Sequence, residues 1–307
     1  MSVIGIDTSN YTTSIAFFDG IGGENCSKLL PVKQGELGLR QSDAVFGHTK
    51  SLPELSGRLF SHVQAENITA VGVSTRPRAV EGSYMPCFMV GYSHAKLLSD
   101  ALHIPLVEVS HQQGHVAASL WSSNRLDLMD QPHLAWHLSG GTTELLLVEP
   151  EGRNVMCTKI GGTTDISAGQ LIDRTGQLLQ QPFPSGKHLD ALSKDALMTD
   201  VFKVKCADMA FSLSGVQNKV QQFHASHGIP AETAAYALRC VAKAVYLATE
   251  QALKAYPGLP VVFSGGVASN SMLRQVIAPL DPIFALPQFS TDNAMGVAVL
   301  AHRITEG

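Results

Sequence analysis

The sequence predicts an α/β protein built from two duplicated halves, because one arrangement of elements occurs twice along its 307 residues. In each copy, two runs of aliphatic and β-branched residues flank a short polar turn, a pattern typical of β-hairpins. The first hairpin is predicted at residues 4–19 and the second at 136–149. Tips of this kind expose backbone N–H groups and hydroxyls, which can bind phosphate.

After each hairpin come a third candidate strand and then helices that alternate with single strands. This alternation predicts a mixed sheet with helices on both faces. In chain order, the predicted elements are a strand at 70–74, a helix at 85–101, a strand at 106–109, a helix from 111, helices at 167–180, 214–225 and 231–255, a strand at 260–264, and helices after 269 and after 292.

A polar stretch at residues 122–132 separates the two copies, as a linker would. We therefore expect an N-terminal half at residues 1–126 and a C-terminal half at 127–307. Because each half opens with a hairpin of the phosphate-binding kind, a nucleotide is expected in the cleft between them.

The overall composition excludes two classes of protein. Hydrophobic residues make up 45% of the chain, charged residues 16%, and the formal net charge is −4. These values fit neither a disordered protein nor a strongly basic, autonomous nucleic-acid binder. Contact with RNA would therefore require a local basic patch or a partner protein.

The cysteines and the apolar runs bear on the cellular compartment. The five cysteines are widely separated and form no CxxC pair, which fits a reducing compartment and disfavours a cysteine-rich zinc site. No apolar run reaches the length that a membrane crossing needs, and the chain starts with a strand pattern rather than a basic leader. We expect a cytoplasmic protein with no membrane segment.

Two histidines four residues apart, His111 and His115, form the first candidate for a chemical site. In the predicted helix they lie on one face, where neutral imidazoles can bind zinc or iron. Gln112 follows the first histidine where zinc proteases have Glu, so peptide hydrolysis is disfavoured. Taken alone, the pair fits two surface histidines near a helix start equally well.

Three glycine-containing loops precede predicted helices, where free N–H groups can meet phosphate oxygens. They are Phe183-Pro184-Ser185-Gly186, Phe211-Ser212-Leu213-Ser214-Gly215 and Phe263-Ser264-Gly265-Gly266-Val267-Ala268-Ser269-Asn270. The last follows a buried strand directly, so Gly265 and Gly266 let the backbone approach a ligand while Asn270 offers hydrogen bonds. Each loop alone fits an ordinary turn.

Six segments in this order resemble the family of threonylcarbamoyl-adenosine synthases, formerly called glycoproteases. They are His111–His115, Leu138–Gly141, Ala168–Asp173, Phe211–Gly215, Ser264–Val267 with Asn270 and Arg274, and Ser290–Ala294. The resemblance covers nearly the whole chain and implies the actin-like ATPase fold of sugar kinases, heat-shock proteins and actin.

The resemblance also implies the functional residues. It assigns one divalent metal ion, Fe2+ or Zn2+, to His111, His115 and Asp292, the last of which would come from the C-terminal half. It assigns substrate or nucleotide binding to His137, Leu138, Ser139, Gly140, Gly141, Asp173, Gly186, Asp190, Gly265, Gly266 and Asn270. Alternatives remain: Asp292 also fits a helix N-cap, and Asp173 and Asp190 also fit helix-surface carboxylates.

The activity implied by the resemblance moves threonylcarbamoyl from threonylcarbamoyl-AMP to N6 of the tRNA adenosine beside the anticodon. The implied partners are a smaller paralogous subunit, an accessory ATPase and the tRNA. The implied nucleotide of this chain is the adenylate substrate or ATP or ADP. Cationic side chains in the second half that could supply a basic patch are Lys203, Lys205, Lys219, Arg239 and Lys243. Most of them also fit an ordinary solvated surface.

The first hairpin departs from the family pattern. Family members usually carry E-T-S-C-D-E-T, whereas this chain has Asp7 followed by Thr8-Ser9-Asn10-Tyr11-Thr12-Thr13. Tyr11 and Thr12 cannot replace carboxylates at neutral pH, since tyrosine titrates near 10. Asp7 is thus the remaining candidate for a catalytic base, although it could equally accept hydrogen bonds within the hairpin.

Three hypotheses follow. The chain is a threonylcarbamoyl transferase, a divergent metal- and nucleotide-binding paralog that acts on another acceptor, or a noncatalytic regulator or ATPase of the same fold. The retained metal-ligand set argues against a pure scaffold, because a partner surface needs no metal ligands.

Overall fold

A computed structural model describes residues 2–31 and 39–306, and residue contacts divide the chain into two compact units. Unit 1 comprises Met1–Gln131, Glu149–Cys157 and Asp292–Gly307, and unit 2 comprises Pro132–Val148 and Thr158–Thr291. The units are thus interleaved along the chain. The division into residues 1–126 and 127–307 remains a prediction about the duplicated halves.

Unit 1 contains a five-stranded sheet in the order β3-β2-β1-β4-β5. Strands β2 and β3 form an antiparallel meander with β1, whereas β4 and β5 run parallel to it. Its elements are β1 Ser2–Ser9, β2 Thr12–Phe18, β3 Gly23–Leu29, α1 Gln41–Leu59, β4 Ile68–Arg76, α2 Phe88–Leu102, β5 Leu106–Ser110, α3 His111–Ser122 and, from the end of the chain, α9 Met295–Thr305.

Small residues bring α9 close to this sheet and to α3. A Cβ atom on Gly5 or Gly72 would overlap atoms of α9, so both central strands need glycine there. Gly114 of α3 and Gly296 of α9 meet in the same way, because a Cβ on Gly296 would overlap the Gly114 carbonyl. Glycine therefore lets the two helices pack closely enough to bring their ends together.

Unit 2 contains a seven-stranded sheet in the order β12-β11-β6-β7-β8-β10-β9. Trp136 is fully buried in its core, where its Nε1 donates to Thr249 Oγ1 at 2.9 Å. The elements are β6 His133–Leu138, β7 Thr143–Glu151, β8 Asn154–Thr163, α4 Ala168–Leu178, α5 Gly186–Leu192, β9 Cys206–Ala207, β10 Ala210–Phe211, α6 Ser214–His227, α7 Pro230–Ala255, β11 Val261–Ser264, α8 Ser271–Ile277 and β12 Ile283–Phe284.

The two sheets repeat one topology. The order β3-β2-β1-β4-β5 in unit 1 corresponds to β8-β7-β6-β11-β12 in unit 2, with β2 and β7 antiparallel to β1 and β6. The parallel strands correspond as well. Both predicted hairpins, their third strands and the duplication are confirmed.

The predicted helices are present with ends shifted by a few residues. The sequence gives no expectation of helix α1, because Gly47, Pro53 and Gly57 interrupt its pattern. In the described residues, no helix combines the length and apolar character that a membrane span requires.

Candidate metal centre

Helix α3 begins directly where β5 ends, and a capping box fixes that start. Ser110 Oγ accepts a hydrogen bond from the Gln113 backbone N–H at 3.2 Å, and Gln113 Oε1 accepts from the Ser110 backbone N–H at 2.8 Å. Gln113 Nε2 also donates to the Val155 carbonyl at 2.8 Å. His111 is the first residue of this helix, so its position depends on the cap.

The three predicted metal ligands lie together within unit 1. His115 Nε2 lies 3.2 Å from Asp292 Oδ1, and His111 Nε2 lies 3.5 Å from the same oxygen. One ligand atom from each residue lies within 4.8 Å of the other two. His111 and Asp292 are partly exposed, whereas His115 is nearly buried. Two imidazole nitrogens and a carboxylate oxygen facing one point suit zinc or ferrous iron.

Asp292 reaches this point because α9 begins three residues later and packs against α3. The N–H of Met295, which starts α9, donates to Asn293 Oδ1 at 3.1 Å. Asn25 Oδ1 accepts from the Ala294 N–H at 3.0 Å and ties this turn to β3. The Asn293 side chain therefore accepts a hydrogen bond at the start of α9, whereas the Asp292 side chain faces the imidazoles.

Asp7 lies behind His111, fully buried in β1. His111 Nδ1 donates to Asp7 Oδ1 at 2.9 Å, Ser9 Oγ donates to Asp7 Oδ2 at 2.7 Å, and Ser74 Oγ donates to Asp7 Oδ1. Ser74 was not foreseen from the sequence, although its place near the end of β4, beside β1, is the signal that could have revealed it.

The charges in this cluster depend on one another. Burial would lower the pKa of His111, but the negative charge of Asp7 and hydrogen bonds to Asp292 and Asp7 outweigh burial and raise it to about 10. Burial would raise the pKa of each carboxyl. The imidazolium of His111 instead holds the pKa values of Asp7 and Asp292 below the usual range. A hydrogen bond from Ser74 also lowers the pKa of Asp7, and His115 also lowers that of Asp292. A cationic centre thus stabilises both carboxylates.

The tip of the first hairpin contains no carboxylate. Asn10 Oδ1 accepts from Gln41 Nε2 at 2.9 Å, and Thr12 pairs with Ser9 in the strand ladder. Tyr11 is partly exposed. The positions where the family usually has an acidic pair are therefore neutral in this chain.

In unit 2, the predicted phosphate loop forms the tip of the β6–β7 hairpin. The Ser139 N–H donates to the Thr142 carbonyl at 2.8 Å, and Ser139 Oγ accepts from the Thr142 N–H at 3.0 Å. Gly140 and Gly141 are exposed, with open space where a Cβ would stand. Leu138 is fully buried, so its backbone alone can face a ligand.

The second glycine loop lies beside this hairpin. Ser264, at the end of β11, pairs with His137 of β6, and Gly265 has φ +91°. A Cβ on Gly265 would overlap the backbone of Leu138. The structure therefore brings Gly265 against the 137–141 segment, and Gly266 follows in open space.

The predicted nucleoside-binding residues form two hydrogen-bonded groups. Asp190 Oδ1 accepts from Asn270 Nδ2 at 2.7 Å and from the Ser271 backbone N–H at 2.9 Å, which fixes the start of α8. Asp173 Oδ1 accepts from the Ser185 N–H at 2.8 Å, and burial raises the pKa of that carboxyl. Gly186, next in the chain, begins α5. Both carboxylates thus anchor loops rather than lie free on a helix surface.

Two cationic residues of unit 2 lie against the 200–205 segment. Arg239 Nη1 donates to the Asp200 carbonyl at 3.5 Å, and Lys219 Nζ lies 5.9 Å from the centre of the Phe202 ring. Lys243, one turn after Arg239 on α7, lies 4.5 Å from the centre of the Tyr246 ring. Lys203 and Lys205 are exposed within that segment. We call the five cations predicted from the sequence the basic patch: Lys203, Lys205, Lys219, Arg239 and Lys243.

Sequence comparison finds one family over most of this chain. The sequence model for tRNA N6-adenosine threonylcarbamoyltransferase matches residues 38–299. A protein of that name from Carboxydothermus hydrogenoformans is 32% identical over 273 residues, which cover 85% of this chain and 78% of the relative. A second protein of that name, from Streptococcus suis, is 30% identical over 258 residues, which cover 79% of this chain and 73% of the relative.

Solved structures share the fold at low sequence identity. Full-length HypF in its phosphate- and nucleotide-bound form matches with a TM-score of 0.65 at 15% identity, over 100% of this chain and 47% of that chain. A ROK family glucokinase from Streptomyces griseus in complex with glucose and AMPPNP matches with a TM-score of 0.56 at 11% identity. The match covers 99% of this chain and 100% of the glucokinase chain. The actin-like ATPase fold expected from the sequence is confirmed.

Proposed function

The chain belongs to the tRNA N6-adenosine threonylcarbamoyltransferase family, and from this premise we propose that it transfers a threonylcarbamoyl group to N6 of a tRNA adenosine. The adenosine is the one beside the anticodon, and threonylcarbamoyl-AMP is the donor. The observation that carries the proposal is the convergence of His111, His115 and Asp292 on one point. A ligand set of this kind is not needed for a partner surface.

The proposed metal is a single divalent ion, Fe2+ or Zn2+. Three protein ligands leave coordination positions for substrate oxygens, and the bound ion would polarise and orient the threonylcarbamoyl group as a Lewis acid. The three side chains fit such an ion, because both imidazoles turn Nε2 toward Asp292.

We assign the adenylate to unit 2. In this proposal, backbone N–H groups of Ser139–Gly141 and the 265–266 loop bind phosphate, with His137 and Leu138 at the base of the loop. Asp173, Gly186, Asp190 and Asn270 bind the nucleoside. Hydrogen-bond donors at the phosphate would stabilise AMP as it leaves.

The transfer itself is an acyl substitution. The N6 nitrogen forms a bond to the carbamoyl carbon, the bond from that carbon to the phosphate oxygen breaks, and the amine loses a proton. The exocyclic amine is a weak nucleophile because its lone pair is delocalised into the ring, so orientation contributes much of the rate. The neutral Tyr11 and Thr12 supply no base at neutral pH.

This neutral hairpin tip favours one alternative, in which the chain binds metal and nucleotide but acts on another acceptor or regulates a partner. For the main proposal, the expected partners are a smaller paralogous subunit, an accessory ATPase and tRNA, in the cytoplasm. The basic patch is the proposed contact surface for tRNA phosphates, because the chain as a whole carries a net charge of −4.

The test incubates the purified protein with threonylcarbamoyl-AMP and unmodified tRNA, with and without the smaller subunit, and follows N6-modified adenosine by mass spectrometry. Wild-type protein and the control Gln112→Ala are expected to form product, and His115→Ala is not. Metal and adenylate binding without any product would contradict the transferase and support the alternative.

A further inference from the structure

Asp7 is not placed to reach a substrate. Its carboxylate is 0% exposed, and both oxygens already accept hydrogen bonds from Ser9, Ser74 and His111. A buried carboxylate is stable only when it is paired and hydrogen-bonded in this way. A general base must instead reach the proton that it removes.

The imidazole of His111 lies between two carboxylates. Its Nδ1 faces Asp7 at 2.9 Å, and its Nε2 faces Asp292 at 3.5 Å. Asp7 therefore contacts the ring nitrogen that does not face the other two metal ligands. When one ring nitrogen of a histidine donates to a carboxylate, the tautomer is fixed and the other nitrogen becomes the better metal ligand.

We propose that Asp7 is a positioning residue for the metal centre rather than a catalytic base. It holds the proton on His111 Nδ1 and turns Nε2 toward the ion, while Ser74 from β4 and Ser9 from β1 hold the carboxylate. This inference rests on the metal centre of the proposed function. It assigns the acid that remains in the first hairpin to metal binding and leaves proton removal to another group.

Two variants test this role through metal binding, independently of transfer. Asp7→Asn keeps the shape but removes the charge, and Ser74→Ala removes one donor to Asp7 while leaving every ligand and the carboxylate in place. Ser14→Ala is the matched control, because Ser14 is buried nearby and bonds the Asp7 backbone carbonyl at 3.3 Å rather than the carboxylate.

The readouts are Co2+ affinity by chelator competition and the histidine N–H signals of the Zn2+-loaded protein by NMR. Loss of an outer-shell partner of a ligating histidine typically costs about 10- to 100-fold in metal affinity, and we expect this for Asp7→Asn. The His111 Nδ1 proton should lose its downfield shift in the same variant. Ser74→Ala should weaken Co2+ binding several-fold, and Ser14→Ala should match the wild type.

Wild-type affinity in a folded Asp7→Asn protein, with the Nδ1 signal unchanged, would overturn the inference and leave the proposed function standing. If Asp7→Asn fails to fold, the Co2+ affinity of Ser74→Ala tests the inference instead. Wild-type Co2+ affinity in Ser74→Ala would then overturn it. Failure of the wild-type protein to bind Co2+ or Zn2+ would instead contradict the proposed metal centre itself.

Discussion

His48, on α1, is a fully buried histidine outside the metal centre. Its Nδ1 lies 2.8 Å from Thr13 Oγ1, and its Nε2 is buried without a hydrogen-bond partner in the described residues. Burial lowers the pKa of His48 to about 4, although the charge of Asp7 opposes the shift. The ring is therefore neutral in the folded protein at physiological pH.

This burial makes stability depend on pH. Below pH 6.5 the unfolded chain takes up a proton on His48 that the folded protein refuses, so the free energy of unfolding should decrease as pH falls from 6.5 to about 4. The full effect is roughly 3 kcal/mol. Urea titrations across this range should show a smaller pH dependence in His48→Leu. His188→Gln, at an exposed site, serves as control. Equal pH dependence in His48→Leu and wild type would contradict the assignment.

Single residues differ in how far the sequence could identify them. His111 and His115 stand four apart, so helical geometry alone pairs them. Asp292 is 177 residues beyond His115, and only family resemblance linked the two. The hydrogen bond from Ser74 to Asp7 depends on which strands are neighbours, and no local sequence pattern shows this. Assignment of the other predicted site residues to a nucleotide remains a prediction.

At the scale of elements, the capping box of α3 connects the fold to the site. Gln113 is buried, and its side chain bonds Ser110 and the Val155 carbonyl. Its neighbour Gln112 is partly exposed and bonds Pro77 through its backbone. The two glutamines therefore form a natural pair for comparison.

We expect Gln113→Ala to lower the free energy of unfolding of unit 1 by roughly 1–3 kcal/mol, because it leaves the cap and a buried carbonyl without partners. Zn2+ affinity should fall as well, since His111 begins the helix that the cap fixes. Urea unfolding followed by tryptophan fluorescence is suitable, because Trp121 lies on α3. Gln112→Ala should resemble the wild type, and equal stability of the two variants would count against this role.

Most elements could be predicted because periodicity and glycine loops mark them locally. The hairpins, α3 and α7 follow such signals. Helix α1 contains Gly47, Pro53 and Gly57, and its packing depends on contacts with β2 and β3 that the sequence does not display. Strands β9, β10 and β12 are two residues long, too short for any pattern to identify.

At the scale of the whole molecule, a negative net charge coexists with a group of cationic side chains in unit 2. The chain carries −4 overall, whereas Lys203, Lys205, Lys219 and Arg239 of the basic patch lie in or against residues 200–205 of unit 2. The two compact units are also interleaved along the chain. Helix α9, at the end of the chain, belongs to unit 1, and Asp292 therefore lies beside His111 and His115. Local sequence patterns could not predict that the C-terminal helix α9 belongs to unit 1.

We expect the double variant Lys219→Ala, Lys243→Ala to bind tRNA several-fold more weakly than wild type. Each lost phosphate contact should reduce the slope of log affinity against log salt by about 0.7–0.9. Fluorescence anisotropy at several salt concentrations measures both quantities. Lys50→Ala is the matched control, since Lys50 also lies over an aromatic ring, Phe46, but in unit 1. An unchanged salt slope in the double variant would place the tRNA surface elsewhere.

The metal dependence of transfer tests the central claim most directly. The protein is stripped with a chelator, reloaded with Zn2+ or with Fe2+ under anaerobic conditions, and assayed for N6-threonylcarbamoyladenosine in tRNA with threonylcarbamoyl-AMP and the smaller subunit. We predict that stripping abolishes product and that one of the two metals restores it in the wild type but not in Asp292→Asn. Undiminished product from fully stripped protein, or equal product from Asp292→Asn, would contradict a metal centre at His111, His115 and Asp292.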